Sequence, residues 1–324
     1  MQKLLNSIKK AQTVALVSHV FPDGDAVSSL LSLYTALKLE GKTVFPVLKD
    51  GVPNAFQFLL KESVEVLNKL PNQDNTDLLI IVDCSDASRT GFTEEIRSFS
   101  KAHKLGVIDH HPKGDLTRLS TASYIHEEAS SAAQLTYEVI RELGTKINPD
   151  LATCLLTGIY TDTGGFQHSN TSQLTLDIAS ELMRRGARLQ QVVNQVSHHK
   201  SIAHLKLLGL ALERAKLSLN GRCVFSTITL EDLASCKGTS EDINGIIGEL
   251  NVLKDTDFTL LLTETSPGQV RGSLRTSDDS TFNVSTLAKA LGGGGHPRAA
   301  GFAILGNLRN ISKESYLIGT NLDL

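Results

Sequence analysis

The stretch D-L-L-I-I-V-D at residues 77–83 decides the fold, because it is apolar between its two terminal acids. An apolar run without polar alternation is typical of a strand buried on both faces of a parallel sheet. T-V-A-L-V-S-H (13–19), K-T-V-F-P-V-L (42–48) and H-K-L-G-V-I-D-H-H (103–111) read as further strands. Helical segments separate these runs, which predicts parallel pairing in a doubly wound α/β sheet.

The segment after the first strand shows the helical pattern most clearly. Ala26, Leu30, Leu33 and Leu37 recur at helical spacing and therefore share one face. Gly41 is placed to end this helix as a left-handed cap. We expect a helix between the first two strands, as a doubly wound sheet requires.

Acids and imidazoles follow the ends of these elements. His19 ends the first strand, Asp23 and Asp25 flank Gly24 in the following turn, and Asp83 ends the stretch at 77–83. The remaining members are Asp109, His110 and His111 after a later strand, and Asp162 at the end of a helix predicted from Pro149. Sites in open α/β sheets lie beyond the carboxyl ends of the strands, so we expect these side chains to meet.

The residue types point to metal chemistry. The carboxylates of Asp23, Asp25, Asp83 and Asp162, with the imidazoles of His19 and His110, form a mixed oxygen and nitrogen donor set that suits Mn²⁺ or a similar ion. Four carboxylates in one cleft repel each other, and two divalent ions balance that charge. This predicts a two-metal hydrolytic site with ions roughly 3.5–4 Å apart, which activate water and stabilise a phosphoryl group.

Simpler explanations exist for single members of this set. A lone Asp at a strand end is most often a helix cap or a turn former, so Asp25 would cap the helix and Asp109 would serve a turn. His103, His126, His168 and His204 are expected to be structural or solvated, and the pair His198-His199 is not assigned a role. The joint occurrence of acids and imidazoles at successive element ends favours the metal site.

Length and charge limit the class of protein. The chain has 324 residues and a mass of 35.0 kDa, which favours two domains. A net charge of -3 argues against a basic coat for long nucleic acid. We find no membrane-spanning run, no secretion signal and no C-x-x-C pair among the four cysteines, so we expect a cytoplasmic protein with reduced, mostly buried cysteines.

The second half is predicted to form a smaller domain. We place domain boundaries at 1–187, 188–219 and 220–324, the middle segment being a helical linker. The run from Gly292 to His296 contains four glycines, which predicts either a flexible loop or a cradle of backbone amides for an anion, involving Gly293, Gly294 and Gly295. Arg271 and Arg275 lie four apart in a predicted strand, so both can reach a phosphate or carboxylate, with His296 as a ligand contact or general acid.

Five motifs together resemble one family. They are S-H-V-F-P-D-G-D-A (18–26), I-V-D (81–83), D-H-H (109–111), Y-T-D-T-G (160–164) and G-G-G-G-H-P-R-A-A-G (292–301). In this order they resemble the DHH phosphoesterase superfamily with a DHHA1 C-terminal domain, closest to the bacterial branch of nanoRNases and phosphatases of bisphosphate nucleotides. The resemblance implies a parallel-sheet DHH domain, a helical connector, a smaller α/β DHHA1 domain and an active-site cleft between the domains.

The resemblance also implies roles for individual residues. One Mn²⁺ would be held by His19, Asp23 and Asp83, and the other by Asp25, Asp83, His110 and Asp162, with Asp83 bridging. His111 would orient the attacking water or the substrate phosphate, and Asp109 would support the histidines. The glycine run, His296 and Arg275 would hold the nucleotide. Ser28 stands where the family usually has glycine, which adds a side chain in the first turn of the helix and removes no ligand.

The implied activity is a Mn²⁺-dependent phosphoesterase, with Mg²⁺ or Co²⁺ as other candidate metals. Its substrates would be short oligoribonucleotides and 3′,5′-bisphosphate nucleotides such as phosphoadenosine phosphate (pAp). The alternatives are a phosphodiesterase for dinucleotides derived from cyclic di-AMP, a polyphosphatase or pyrophosphatase, and a non-catalytic nucleic-acid-binding module. We expect short RNA or nucleotide as the partner and no membrane partner, with a homodimer left open.

Overall fold

The structure is a computed structural model that describes residues 1–197, 201–218, 220–253, 255–276, 280–312 and 315–319. The chain divides into two compact units, Met1–His199 and Lys200–Leu324. Among the described residues, no helix combines the length and the apolar character that crossing a membrane requires. All four cysteines are described, and each is free and buried, as expected.

The first unit is built on five parallel strands. These strands are β1 (Thr13–Val17), β2 (Thr43–Val47), β3 (Leu78–Val82), β4 (Lys104–Asp109) and β5 (Ala122–Ile125). They pair in the order β2-β1-β3-β4-β5, with every neighbouring pair parallel. The order reverses between β1 and β3, and this reversal is where doubly wound folds bind their ligands. The predicted doubly wound sheet is confirmed.

Helices cover both faces of this sheet. They are α1 (Gln2–Lys10), α2 (Gly24–Leu39), α3 (Thr93–Ala102), α4 (Asp115–Leu119), α5 (Ala132–Leu143), α6 (Pro149–Asp162), α7 (Gln173–Arg184) and α8 (Leu189–Ser197). Leu78, Ile80 and Val82 of β3 belong to one core, whereas Leu79 and Ile81 belong to the core on the other face. Both faces of β3 are therefore buried, which explains why its sequence is apolar without alternation.

The helix α2 carries the first part of the site. The predicted apolar face of Ala26, Leu30, Leu33 and Leu37 is fully buried, and Gly41 lies just past the helix with a positive φ of 77°. Ser28 is also fully buried, and its hydroxyl has no hydrogen-bond partner among the described residues. The Ser28 side chain therefore packs between the helices and makes no polar contact within the described part of the chain.

The second unit contains a six-stranded sheet and a two-stranded sheet. Its strands are β6 (Lys216–Ser218), β7 (Cys223–Ile228), β8 (Phe258–Ser266), β9 (Gln269–Arg275), β10 (Gly294–Gly295), β11 (Ala299–Leu305), β12 (Asn307–Ser312) and β13 (Ser315–Gly319). The larger sheet has the order β10-β11-β9-β8-β7-β6, in which β7 and β8 are parallel and the other pairs antiparallel. The smaller sheet pairs β12 with β13.

The helices of this unit are α9 (Ile202–Glu213), α10 (Leu230–Cys236), α11 (Ile246–Leu250) and α12 (Val284–Ala290). One local expectation differs from the structure. The segment 188–219 is not helical to its end, because Lys216–Ser218 pairs with β7 as the edge strand β6. The short helix α11 begins directly after Gly245, which adopts a left-handed conformation with φ of 90°.

Candidate metal centre

The site lies at the carboxyl ends of the central strands in the first unit. His19 follows β1, Asp83 follows β3, and Asp109 is the last residue of β4. Since β1 and β3 are neighbours at the reversal of strand order, their ends leave a crevice that the connecting loops line. The fold therefore brings together residues that are up to 143 positions apart in the sequence, from His19 to Asp162.

Asp83 is the centre of the site. Its side chain is 3% exposed, and its carboxylate lies 3.5 Å from Nε2 of His19 and 3.6 Å from Nε2 of His110. The backbone of Asp83 has a φ of 56°, a left-handed conformation that is uncommon for residues with a Cβ and that Asp adopts more readily than most. Within the described part of the chain, Oδ1 of Asp83 is buried without a hydrogen-bond partner. A buried carboxylate oxygen of this kind is stabilised by a bound cation or by protonation.

The first cluster of ligand atoms joins Asp83 to His19 and Asp23. Nδ1 of His19 lies 2.8 Å from the carbonyl oxygen of Val20, which turns Nε2 toward the carboxylates. Asp23 is the N-cap of α2, and its Oδ1 accepts the backbone N–H groups of Asp25 and Ala26 at 3.1 Å each. The cap is therefore Asp23, and the simpler explanation of Asp25 as the cap is wrong.

The second cluster consists of Asp25, His110 and Asp162. Nε2 of His110 lies 3.9 Å from Asp25 and 3.7 Å from Asp162, while its Nδ1 lies 3.3 Å from the carbonyl oxygen of Ala129. His110 is also close to Asp83, so the two clusters adjoin through Asp83 and His110.

Asp25 is held by the N-terminus of another helix. Its carboxylate is 1% exposed and accepts the backbone N–H groups of Ala132 at 2.6 Å and Ala133 at 2.8 Å, in the first turn of α5. The free N–H groups and the dipole at a helix N-terminus stabilise a carboxylate. Gly158 of α6 permits this arrangement, because a Cβ there would lie 2.8 Å from Oδ1 of Asp25. The sequence predicts Asp25 as a ligand, but it contains no signal for its contact with α5.

Asn170 was not identified from the sequence. Its Nδ2 donates to the carbonyl oxygen of Ser130 at 2.9 Å and to that of Asp162 at 3.2 Å, and it lies 3.5 Å from Oδ2 of Asp162. His168, expected to be structural or solvated, packs its ring on Gly164 and places Nδ1 3.2 Å from the Asp162 carbonyl oxygen. Both His168 and Asn170 lie in the mostly polar segment after the pair Gly164-Gly165, and this segment is the sequence signal that could have identified them.

His111 and Asp109 form a pair beside Asp83. Nδ1 of His111 lies 2.8 Å from Oδ1 of Asp109 and 3.5 Å from Oδ1 of Asp83. Asp109 is buried, and its contact fixes the orientation of the His111 ring and favours a proton on Nδ1. The geometry also places His111 with Asp83 and His110 in a third cluster of ligand atoms.

The buried carboxylates of the site repel one another. Burial raises the pKa of Asp83 and Asp162 well above the usual range, and the neighbouring carboxylates, Asp25 first among them, raise it further. Burial also raises the pKa of Asp25, although His110 and the α5 amides oppose the rise. A protonated carboxylate or a bound cation relieves this repulsion. The donor set and the orphaned Asp83 oxygen both fit divalent cations.

In the second unit, the arginines lie on β9 and the glycine run forms β10, with β11 between these two strands. Arg271 and Arg275 occupy the same face of β9, and Arg275 pairs in register with Ala299 of β11. Burial lowers the pKa of Arg275, and the charge of Arg271 lowers it further. These positions are compatible with a shared anionic ligand, which remains a prediction.

The glycine run is neither a free loop nor an open row of amides. Gly294 and Gly295 form β10, which pairs with β11. A Cβ on Gly293 would collide with the carbonyl oxygen of Gly301, so close backbone packing explains this glycine. The N–H of Gly293 donates to Ala288 at 2.8 Å and that of His296 to Ala299 at 2.8 Å, so these two amides are already used within the chain. The roles of Gly293, Gly294, Gly295 and His296 toward substrate remain predictions.

The other histidines have local contacts. His103 stacks on Phe99 with ring centroids 4.8 Å apart, and His126 contacts the edge of Tyr124 at 4.8 Å. His204 is buried in α9, with Nδ1 2.7 Å from the carbonyl oxygen of Asp242. The pair His198-His199 lies outside the described residues.

The chain is similar to known proteins over most of its length. Residues 13–159 match the DHH family, N-terminal domain, and residues 223–314 match the DHHA1 domain. The chain is 30% identical to the bifunctional oligoribonuclease and PAP phosphatase NrnA of Thermus thermophilus, over 90% of this chain and 84% of the relative. It is 29% identical to the NrnA of Bacillus subtilis, over 93% and 92% of the two chains. A crystal structure of an exopolyphosphatase-related protein from Bacteroides fragilis has a TM-score of 0.86 at 24% identity, covering 95% of this chain and 92% of that chain, and shares the fold.

Proposed function

Because this chain belongs to the DHH family and is a hydrolase of phosphoester bonds, we propose that it cleaves short oligoribonucleotides and removes phosphate from 3′,5′-bisphosphate nucleotides such as pAp. The observation that carries the proposal is the convergence of His19, His110 and His111 on the buried carboxylate of Asp83. The names of the relatives from Thermus thermophilus and Bacillus subtilis support the choice of substrates.

The metal in this proposal is a pair of Mn²⁺ ions. His19, Asp23 and Asp83 would hold one ion, and Asp25, Asp83, His110 and Asp162 the other, in keeping with the two adjoining clusters. When bound, such ions activate water and neutralise charge on a phosphoryl group. Mixed carboxylate and imidazole donors suit Mn²⁺, with Mg²⁺ and Co²⁺ as competitors.

His111 is the chain's own candidate for proton handling. The carboxylate of Asp109 accepts its Nδ1–H, which holds the ring in one orientation and favours the neutral tautomer that presents Nε2 as an acceptor. In that state Nε2 can orient a water molecule or receive its proton, and Asp109 stabilises the imidazolium that results. Asp109 acts through His111 and is a positioning residue.

Contacts to the nucleotide, apart from the phosphate that is cleaved, are assigned to the second unit. Arg271 and Arg275 project from one face of β9 and offer planar donor groups that match phosphate oxygens. We assign the glycine run (Gly293 to Gly295) and His296 to the same ligand. The net charge of -3 limits the gain from counterion release on long polynucleotides and favours short substrates. The buried free cysteines support a cytoplasmic location.

A substrate panel tests this function. Purified protein with Mn²⁺ or Mg²⁺ is given di- to pentaribonucleotides, pAp, linear and cyclic di-AMP, and polyphosphate. We expect hydrolysis of the short ribonucleotides and pAp, and a loss of at least about 10³-fold in Asp83→Asn, because the central carboxylate then carries no charge. Asp177→Asn, at an exposed acid of α7, is the matched control and keeps full activity. Absence of hydrolysis of both substrate types by the wild type, or full activity of Asp83→Asn, refutes the proposal.

A further inference from the structure

Phe21 is an exposed aromatic residue in the loop that carries His19 and Asp23. Its side chain is large and apolar, and it is 83% exposed. Its backbone has a φ of 51°, in the left-handed region that a bulky residue rarely adopts. Exposure alone is ordinary for a surface residue, but exposure together with backbone strain at a functional loop requires an explanation.

The loop holds Phe21 in this position. The N–H of Phe21 donates to Oδ2 of Asp50 at 2.7 Å, and the N–H of Val20 donates to the carbonyl oxygen of Arg89 at 2.7 Å. Asp50 follows β2, and Arg89 belongs to the turn after β3, so segments on both sides of the loop fix its backbone. The ring is therefore presented to solvent from a rigid backbone, which reduces the entropy that a ligand contact would cost.

The position of Phe21 relative to the metal centre indicates what the ring contacts. Phe21 is two residues from His19 and two from Asp23, so its Cα lies within about 7.6 Å of theirs. In a nucleotide whose phosphate is held at the metal centre, one sugar separates the base from that phosphate. An exposed benzyl group at this separation matches the flat apolar face of a base, which every nucleobase has.

Resting on the proposed function, we propose that Phe21 is a substrate-binding residue that stacks on a nucleobase of the nucleotide whose phosphate is cleaved. Stacking on an aromatic ring is tolerant of sequence, so this contact favours nucleotides in general over phosphoesters without a base. It is therefore a specificity determinant for nucleotide substrates and needs no preference among the bases.

The test compares a ribodinucleotide with the same dinucleotide lacking its bases. We expect Phe21→Ala to raise the ratio of the two KM values, base-bearing over abasic, by about tenfold, with kcat for the dinucleotide changed much less. Phe21→Trp, which keeps a stacking surface, is expected to keep the wild-type ratio. Leu39→Ala removes another exposed apolar side chain, 56% exposed and about 21 Å along α2 from Asp25, and should leave the ratio unchanged.

The outcomes separate the two proposals. A wild-type ratio in Phe21→Ala, or an equal rise of KM for both substrates, overturns the stacking assignment while the proposed function stands. If the wild type hydrolyses no nucleotide, the proposed function is wrong and the assignment of Phe21 falls with it. A wild-type KM ratio in Phe21→Trp together with a raised ratio in Phe21→Leu supports stacking over simple apolar contact. Thermal unfolding of each variant shows that the ratio does not change through loss of folded protein.

Discussion

Replacing Gly158 by alanine tests how the helices around Asp25 position the metal centre. Alanine at a glycine inside a helix normally stabilises a protein by about 1 kcal/mol. In α6, however, the new Cβ would lie 2.5 Å from Cβ of Ala133, 2.8 Å from Oδ1 of Asp25 and 3.0 Å from Cβ of Ser28. None of these atoms is at the end of a long flexible side chain, so the neighbouring helices must move.

The two effects oppose each other. Overpacking of this kind costs about 1–3 kcal/mol, which exceeds the gain in helix propensity. We expect a net destabilisation of about 1 kcal/mol and a decrease of about 3 °C in the Tm of the first unit. Displacement of the Asp25 carboxylate should also weaken Mn²⁺ binding about tenfold. Calorimetric unfolding and Mn²⁺ titration measure these two quantities.

Gly209 provides a matched control in α9. It also lies inside a helix, but no described atom lies within 4 Å of the position of its Cβ. Gly209→Ala should therefore stabilise the protein by about 1 kcal/mol and leave Mn²⁺ binding unchanged. If Gly158→Ala is as stabilising as Gly209→Ala and keeps its Mn²⁺ affinity, then close packing does not position Asp25 and the reasoning is refuted.

Three further predictions follow from single contacts. Ser28→Ala removes a buried hydroxyl that has no partner in the described ranges, so unfolding should show a gain of about 1 kcal/mol; a loss would mean that the hydroxyl is satisfied. Asp109→Asn breaks the orientation of His111, and steady-state kinetics should show kcat falling at least about tenfold with KM nearly constant; a change in KM alone would contradict the positioning role. The backbone N–H of Thr13, with that of Gln12, lowers the pKa of Asp77 below 3.8, so the stability from this contact is present above that value and is lost as the pH falls. Acid unfolding should then be less steep for Asp77→Asn than for the wild type, and identical pH profiles would refute this.

The sequence predicted what depends on local pattern. Unbroken apolar runs predicted the buried strands, and the acids and imidazoles at their ends predicted a cluster of candidate ligands, because parallel strands end at one edge of a sheet. The support of Asp25 by the first turn of α5 was not predictable, since the two segments are 107 residues apart and backbone amides leave no signature in the side chains. The role of the glycine run was also not predictable, because glycines that allow close strand packing and glycines that bind an anion look the same in a sequence.

Asp23 has a consequence for how occupancy of the centre can be observed. The same carboxylate oxygen that caps α2 lies 4.0 Å from His19, so one side chain is shared between the start of a helix and the metal centre. Any ion that draws this oxygen away releases the N–H groups of Asp25 and Ala26 from their cap. The hydrogen-exchange rates of these two amides should therefore report metal loading residue by residue in solution, without a substrate and without any label on the metal.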